Sequence, residues 1–119
     1  MDETYSIEAL SALAQPTRLQ AFRLLVRGEP AGVPAGELAR RLHVPQNTLS
    51  SHFSILAKAG LVRSERQSRS IIYRADLTRF RQVLLFLLAD CCNGHPEVCA
   101  SVRESLAALE ARSNGGCWR

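Results

Sequence analysis

No apolar run in this 119-residue chain approaches the ~18 residues that a bilayer crossing demands; the longest, Val83 to Ala89, has seven. No basic stretch leading into an apolar one stands at the N-terminus, so we expect no secretory signal and a reducing, cytoplasmic compartment. Cysteine is missing from the first ninety positions: Cys91, Cys92, Cys99 and Cys117 all fall near the C-terminal end. In a reducing compartment that pattern favours thiol chemistry or metal binding over a disulfide framework. Histidine is scarce, and His43, His52 and His95 form no acid-base or nucleophile arrangement by spacing, so we expect no enzyme. Disorder is excluded by the 46% of hydrophobic residues. What remains is one small domain, long enough to bury about two thirds of its unfolded surface and no more.

The formal charge of +4 is unevenly placed. Residues 37–81 carry nine basic groups against Glu37, Glu65 and Asp76, whereas both flanks are slightly acidic. A basic surface of this kind is either a solvated face or an electrostatic footprint for nucleic acid, and geometry has to decide.

Helical spacing of Ile7, Leu10, Leu13 and Ala14 predicts a short first helix with those residues inward. Pro16 is suited to open a second, with Leu19, Phe22, Leu25 and Val26 apolar, and Gly28 to Gly32 read as a stop and a loop. A third helix covers residues 35–42, with Leu38 and Leu42 facing the core. After a His43-Val44 break, Pro45 takes the first position of a fourth helix that runs to Ala59, and Gly60 ends it in the left-handed conformation. The period then shortens. Leu61, Val62, Ile71, Ile72 and Tyr73 are strand formers on either side of Arg66 to Ser70, a hairpin without an Asn-Gly or Asp-Gly tip. Asp76 caps a fifth helix, Asn93-Gly94 ends it, and His95-Pro96 start a sixth with a Val102, Leu106, Leu109 stripe. We expect residues 1–112 to form one DNA-binding and dimerisation domain that includes an inducer-binding segment at 90–100, with 113–119 a flexible tail.

Two short helices joined by a tight turn and followed by a basic hairpin make a winged helix-turn-helix: a mainly α fold with a β-hairpin wing. The fourth helix is the reader. Leu49, Phe53 and Leu56 share one face, while Gln46, Asn47, Ser50, Ser51 and Ser54 point elsewhere. A major-groove helix needs that division, an apolar back and compact polar groups for base edges and phosphates. Arg63, Arg66 and Arg69 belong to the wing, and Arg40 and Arg41 can reach the flanking backbone. His52 reads as a structural or phosphate-contacting residue rather than a metal ligand.

Gln15-Pro16-Thr17-Arg18-Leu19, Glu37-Leu38-Ala39, the run Asn47 to Leu56, Ala59-Gly60-Leu61-Val62 and an arginine wing closing on Tyr73 resemble the ArsR/SmtB family of metalloregulatory repressors over residues 5–90. The resemblance implies a homodimer, joined through its first and fifth helices, on an inverted-repeat operator in double-stranded DNA, released when an inducer binds. A serine frequent in the family is replaced here by Pro45. The cysteine pair that many arsenic-responsive members carry before the reader is absent from Glu37 to Arg41, and the histidines of zinc-responsive members are absent from Thr78 to Asp90. Another arsenite-responsive branch has an adjacent cysteine pair and a third cysteine a few residues on, which Cys91, Cys92 and Cys99 match.

Three thiols suit one trivalent arsenic or antimony centre as inducer, whereas zinc usually takes four ligands. No cofactor is expected for folding. The cysteines also fit other readings. Each could be a buried small hydrophobe. Cys117 or His95 could complete a site for zinc, cadmium or lead, distant thiols could bridge on oxidation, and the chain could be a dimeric interaction module that binds no DNA.

Overall fold

The computed structural model describes residues 3–89 and 96–112. Five helices, a three-stranded sheet and a sixth helix follow in chain order: α1 Glu3–Leu13, α2 Pro16–Arg27, β1 Val33–Pro34, α3 Ala35–Leu42, α4 Gln46–Lys58, β2 Val62–Gln67, β3 Ser70–Ala75, α5 Leu77–Ala89 and α6 Pro96–Arg112. This is the expected winged helix-turn-helix, mainly α with a β-hairpin wing.

Local chemistry places most of the boundaries. Pro16 opens α2, and the Gln15 side chain caps it by accepting from the Arg18 amide at 2.8 Å. Gly60 follows α4 with φ +82°, and a Cβ there would stand 2.8 Å from Arg79 Nε, so both the backbone and the packing call for glycine. Asp76 caps α5 by accepting from the Arg79 amide at 3.0 Å. Pro45 differs from expectation: with ψ 150° it is the N-cap of α4 and not its first helical residue, its carbonyl accepting from the Leu49 amide.

The core lies between the helices and the inner face of the sheet. Leu25, Leu38, Leu49, Leu56 and Leu61 are fully buried at its centre. Phe22 of α2 meets Phe80 of α5 edge-on at 5.0 Å, and Phe53 of α4 stacks on Tyr73 of β3 at 3.7 Å, fixing the reader helix against the wing.

Three expectations fail in instructive ways. The face of α1 that packs inward is Ser6, Ala9 and Ala12, small residues that let it approach α2, α4 and α5, while Ile7 (58% exposed) and Leu10 look outward. Leu19 is also exposed, at 44%. The sheet gains β1, which pairs antiparallel with β3 through Val33↔Tyr73 and Pro34↔Ile72, giving the order β1-β3-β2; Leu61 lies just before β2, outside the sheet but buried in the core. At the hairpin tip Ser68 has φ +55° and Arg69 has no positive φ, which excludes a type I′ turn.

The α6 stripe exists, but Leu106 and Leu109 are exposed. The expected stop at Asn93-Gly94 and the expected tail 113–119 lie outside the described residues.

Candidate nucleic-acid interface

The basis of this surface is the division of α4. Its apolar residues Leu49, Phe53 and Leu56 are buried, and every polar residue assigned to reading (Gln46, Asn47, Ser50, Ser51, Ser54) is exposed. Arg40 and Arg41 on α3 and Arg63, Arg66 and Arg69 on the wing are exposed as well.

Within that set the side chains are unequally free. Arg41 pairs with Glu37 at 3.5 Å and Arg63 approaches Glu65 at 3.8 Å, both at exposed positions where such pairs contribute little and exchange readily with phosphate. Arg40, Arg66 and Arg69 carry no ion pair among the described residues. Asn47 Oδ1 accepts from the Thr48 amide at 3.0 Å, and the Ser51 hydroxyl donates to the Asn47 carbonyl at 3.3 Å. Asn47 therefore spends its acceptor on the first turn of α4 and keeps its amide N–H groups for a base or phosphate. Pro45 supplies no side-chain cap, which leaves first-turn amides of the reader open to an anionic oxygen. Gln46 leans back over α3: its Nε2 would stand 3.2 Å from a Cβ on Gly36, so the glycine makes room for it.

Four residues that spacing did not single out hold this surface in shape. Arg74 of β3 donates to Glu29 at 2.7 and 3.0 Å and to Glu65 at 3.0 Å, with the Arg74 and Glu29 side chains only 19% and 13% exposed. The hydrogen bonds to Glu29, then those to Glu65, hold the guanidinium even above its ordinary high value. Its charge is thus spent inside the protein, binding the loop after α2 to both strands of the wing. Arg18 donates to the Ala12 carbonyl at 2.6 Å and lies 3.4 Å from His52 Nδ1, linking the end of α1 to the reader through α2. Arg79 lies over the Tyr5 ring at 5.3 Å. The basic excess of residues 37–81 is therefore smaller at the surface than its formal count. In sequence, nothing marks Arg74 apart from Arg66 or Arg69; what does is its place on the face of the sheet opposite Tyr73, where Glu65 of β2 and Glu29 of the loop after α2 both reach it.

For the thiols, Cys91, Cys92 and Cys117 lie outside the described residues, and Cys99 falls in the first turn of α6. Among the described residues no three His, Cys, Asp or Glu side chains gather as a metal site would require. None of the described helices is long and apolar enough to cross a membrane.

Residues 13–65 match the helix-turn-helix domain family. The chain is 34% identical over 83 residues to the biofilm growth-associated repressor of Agrobacterium fabrum, spanning 70% of this chain and 68% of that protein. It is 45% identical over 67 residues to the HTH-type transcriptional repressor SmtB of Mycobacterium tuberculosis, a match that spans 56% of this chain and 47% of the repressor. In three dimensions it is similar to an ArsR-like transcriptional regulator from Rhodococcus sp. RHA1, with TM-score 0.62, 26% identity, and 91% and 92% of the two chains covered.

Proposed function

The chain belongs to the ArsR/SmtB family of winged helix-turn-helix transcriptional regulators, which are not enzymes, and from that premise we propose that it acts as a homodimeric repressor released from DNA by a thiophilic inducer. The observation that carries the DNA-binding part is the exposed polar face of α4, flanked by Arg40 on one side and the unpaired wing residues Arg66 and Arg69 on the other. Two such faces one helical turn of DNA apart would meet the half-sites of an inverted repeat.

The inducer reading rests on three cysteines within nine positions of the sequence, Cys91 and Cys92 shortly after the last residue of α5 and Cys99 in the first turn of α6. Cys91, Cys92 and Cys99 around one trivalent arsenic or antimony ion would draw those helix ends together, and because α5 belongs to the proposed dimer interface the two readers would shift relative to one another. Ligand and DNA affinities are then reciprocally coupled, typically by about 1–3 kcal/mol. A second reading keeps the fold and changes the signal: zinc, cadmium or lead held with Cys117 or His95, or oxidation of the thiols. It is favoured by the presence of Cys117 and His95, two further metal-ligating side chains that the three-thiol reading leaves unused.

The two readings separate in one experiment. Release of an operator from the chain's own upstream DNA is followed with arsenite, antimonite, zinc, cadmium and peroxide, for the native protein and for Cys91→Ser, Cys92→Ser, Cys99→Ser and Cys117→Ser. The arsenite reading expects the first three substitutions to abolish release and the fourth to leave it. Release by zinc or peroxide alone, or with loss on Cys117→Ser, transfers the assignment to the second reading. No binding to any inverted repeat at low salt would defeat the repressor reading as a whole.

A further inference from the structure

The end of α1, one flank of α2 and the start of α5 enclose a half-open cavity of about 350 Å³. Its walls are Leu13, Leu19, Phe22, Val26 and Phe80, with the Phe22–Phe80 pair at the back. Arg23 and Arg27 stand at its rim, one turn apart on α2, both exposed and without an ion pair or side-chain hydrogen bond among the described residues. The same two arginines border a second, smaller depression of about 210 Å³ on their other side, which Gln20 and Arg41 complete. The arginines thus form a cationic ridge between the apolar cavity and a smaller depression of mixed lining, to which Leu24 and Leu42 also belong.

We propose that this is a binding site for an amphiphilic carboxylate, a medium-chain acyl or aryl acid whose apolar body fills the cavity and whose carboxylate takes Arg23 and Arg27. The size lies at the lower end of small-molecule pockets, and the lining has their composition: apolar walls with a few convergent polar groups. Two guanidinium groups at i and i+4 repel one another, and an anion between them relieves that repulsion while accepting charge-assisted hydrogen bonds. An inorganic anion would leave the apolar walls in water, and an uncharged hydrocarbon would leave the arginines unused. An amphiphilic anion satisfies both. No cysteine is among the described residues that line the cavity, and the test reads binding at the arginines without reference to what the thiols sense.

The test is calorimetric titration of the full chain with hexanoate, octanoate and decanoate, and with octylamine and octan-1-ol as matched controls. We expect one octanoate per subunit, affinity that rises by about three- to fourfold per added methylene, and at least about tenfold weaker binding of octylamine. Arg23→Gln combined with Arg27→Gln should cost octanoate about tenfold or more and leave octan-1-ol unchanged. Leu19→Trp, at an exposed position of the mouth, should fill the cavity and weaken both, with the thermal midpoint of the protein unaltered. Equal binding of octanoate and octylamine, no dependence on chain length, indifference to these variants, or no binding at all each overturns the proposal. Loss of DNA affinity in the double arginine variant without any change in octanoate binding overturns it too, and reassigns the ridge to phosphate binding.

Discussion

Single residues show where spacing carries information and where it does not. Pro16, Gly60 and Asp76 act through their own backbone or side-chain chemistry, so their positions in the chain suffice to place them. Ser6 is the opposite case. It looks like an ordinary polar helix residue, yet it sits on the inward face of α1, fully buried, with its hydroxyl unpartnered among the described residues. An unmade hydrogen bond of that kind costs about 1–3 kcal/mol, and alanine is also the better helix former. Ser6→Ala should therefore raise the free energy of unfolding by about 1 kcal/mol in urea titrations; an unchanged or lower value would show that the hydroxyl has a partner after all. Tyr73 supplies a pH signature. Burial raises its phenol above the ordinary value of 10.0, so the folded chain favours the neutral form. That contribution is complete below the unfolded value and is lost as pH rises from about 10 through the higher folded value. Stability should fall over that alkaline range, and less so in Tyr73→Phe, as measured by unfolding across a series of pH values.

At the scale of elements, α2 and α4 were legible because Pro16 and Gly28, and Pro45 and Gly60, punctuate their ends, and the reader was legible because its apolar residues follow one face. The third strand was not. β1 is two residues long, one of them a proline without an N–H, and it exists only because β3 offers an edge to pair with. Nor could sequence tell a wing arginine that stays free in solvent from one that carboxylates of the protein hold. Arg66 and Arg69 sit towards the hairpin tip, whereas Arg74, near the far end of β3, is clamped by Glu29 and Glu65. These two groups should fail differently. Arg66→Gln with Arg69→Gln should leave stability unaltered and lower the slope of log affinity against log salt by about 0.9 for each phosphate that is no longer neutralised. Arg74→Met should leave two carboxylates in a half-buried site without their partner, loosen the wing and lower the thermal midpoint, and should weaken DNA binding only through that loss of order. A stable Arg74→Met protein with a reduced salt slope would mean that Arg74 touches DNA directly.

The whole molecule explains what the single chain leaves unexplained. Among the described residues of α5 only Val83 is buried, while Leu84, Leu85, Phe86 and Leu87 are all exposed; with Ile7 and Leu10 of α1 they give an apolar surface that an isolated subunit would have no reason to keep in water. The unexpected orientation of α1 has the same origin. Periodicity identifies an amphipathic helix, but two surfaces compete for it: small residues serve the close packing within one chain, and large ones remain for another. A helix apolar on every side is a helix with neighbours on every side, and in the proposed homodimer the partner supplies those of the outward side. The thermal midpoint should accordingly rise with protein concentration, as it does when folding is coupled to association. Leu85→Glu, at a position 52% exposed in the single chain, should preserve helix content yet give monomers in sedimentation velocity. Because two linked half-site interactions exceed one by about 10²-fold or more, the same substitution, on α5 and outside the reader helix, should lower affinity for an inverted repeat by that order while leaving affinity for a single half-site unchanged. Equal losses on both DNA substrates would place Leu85 in the DNA-binding unit itself, and a dimer that survives the substitution would move the interface elsewhere.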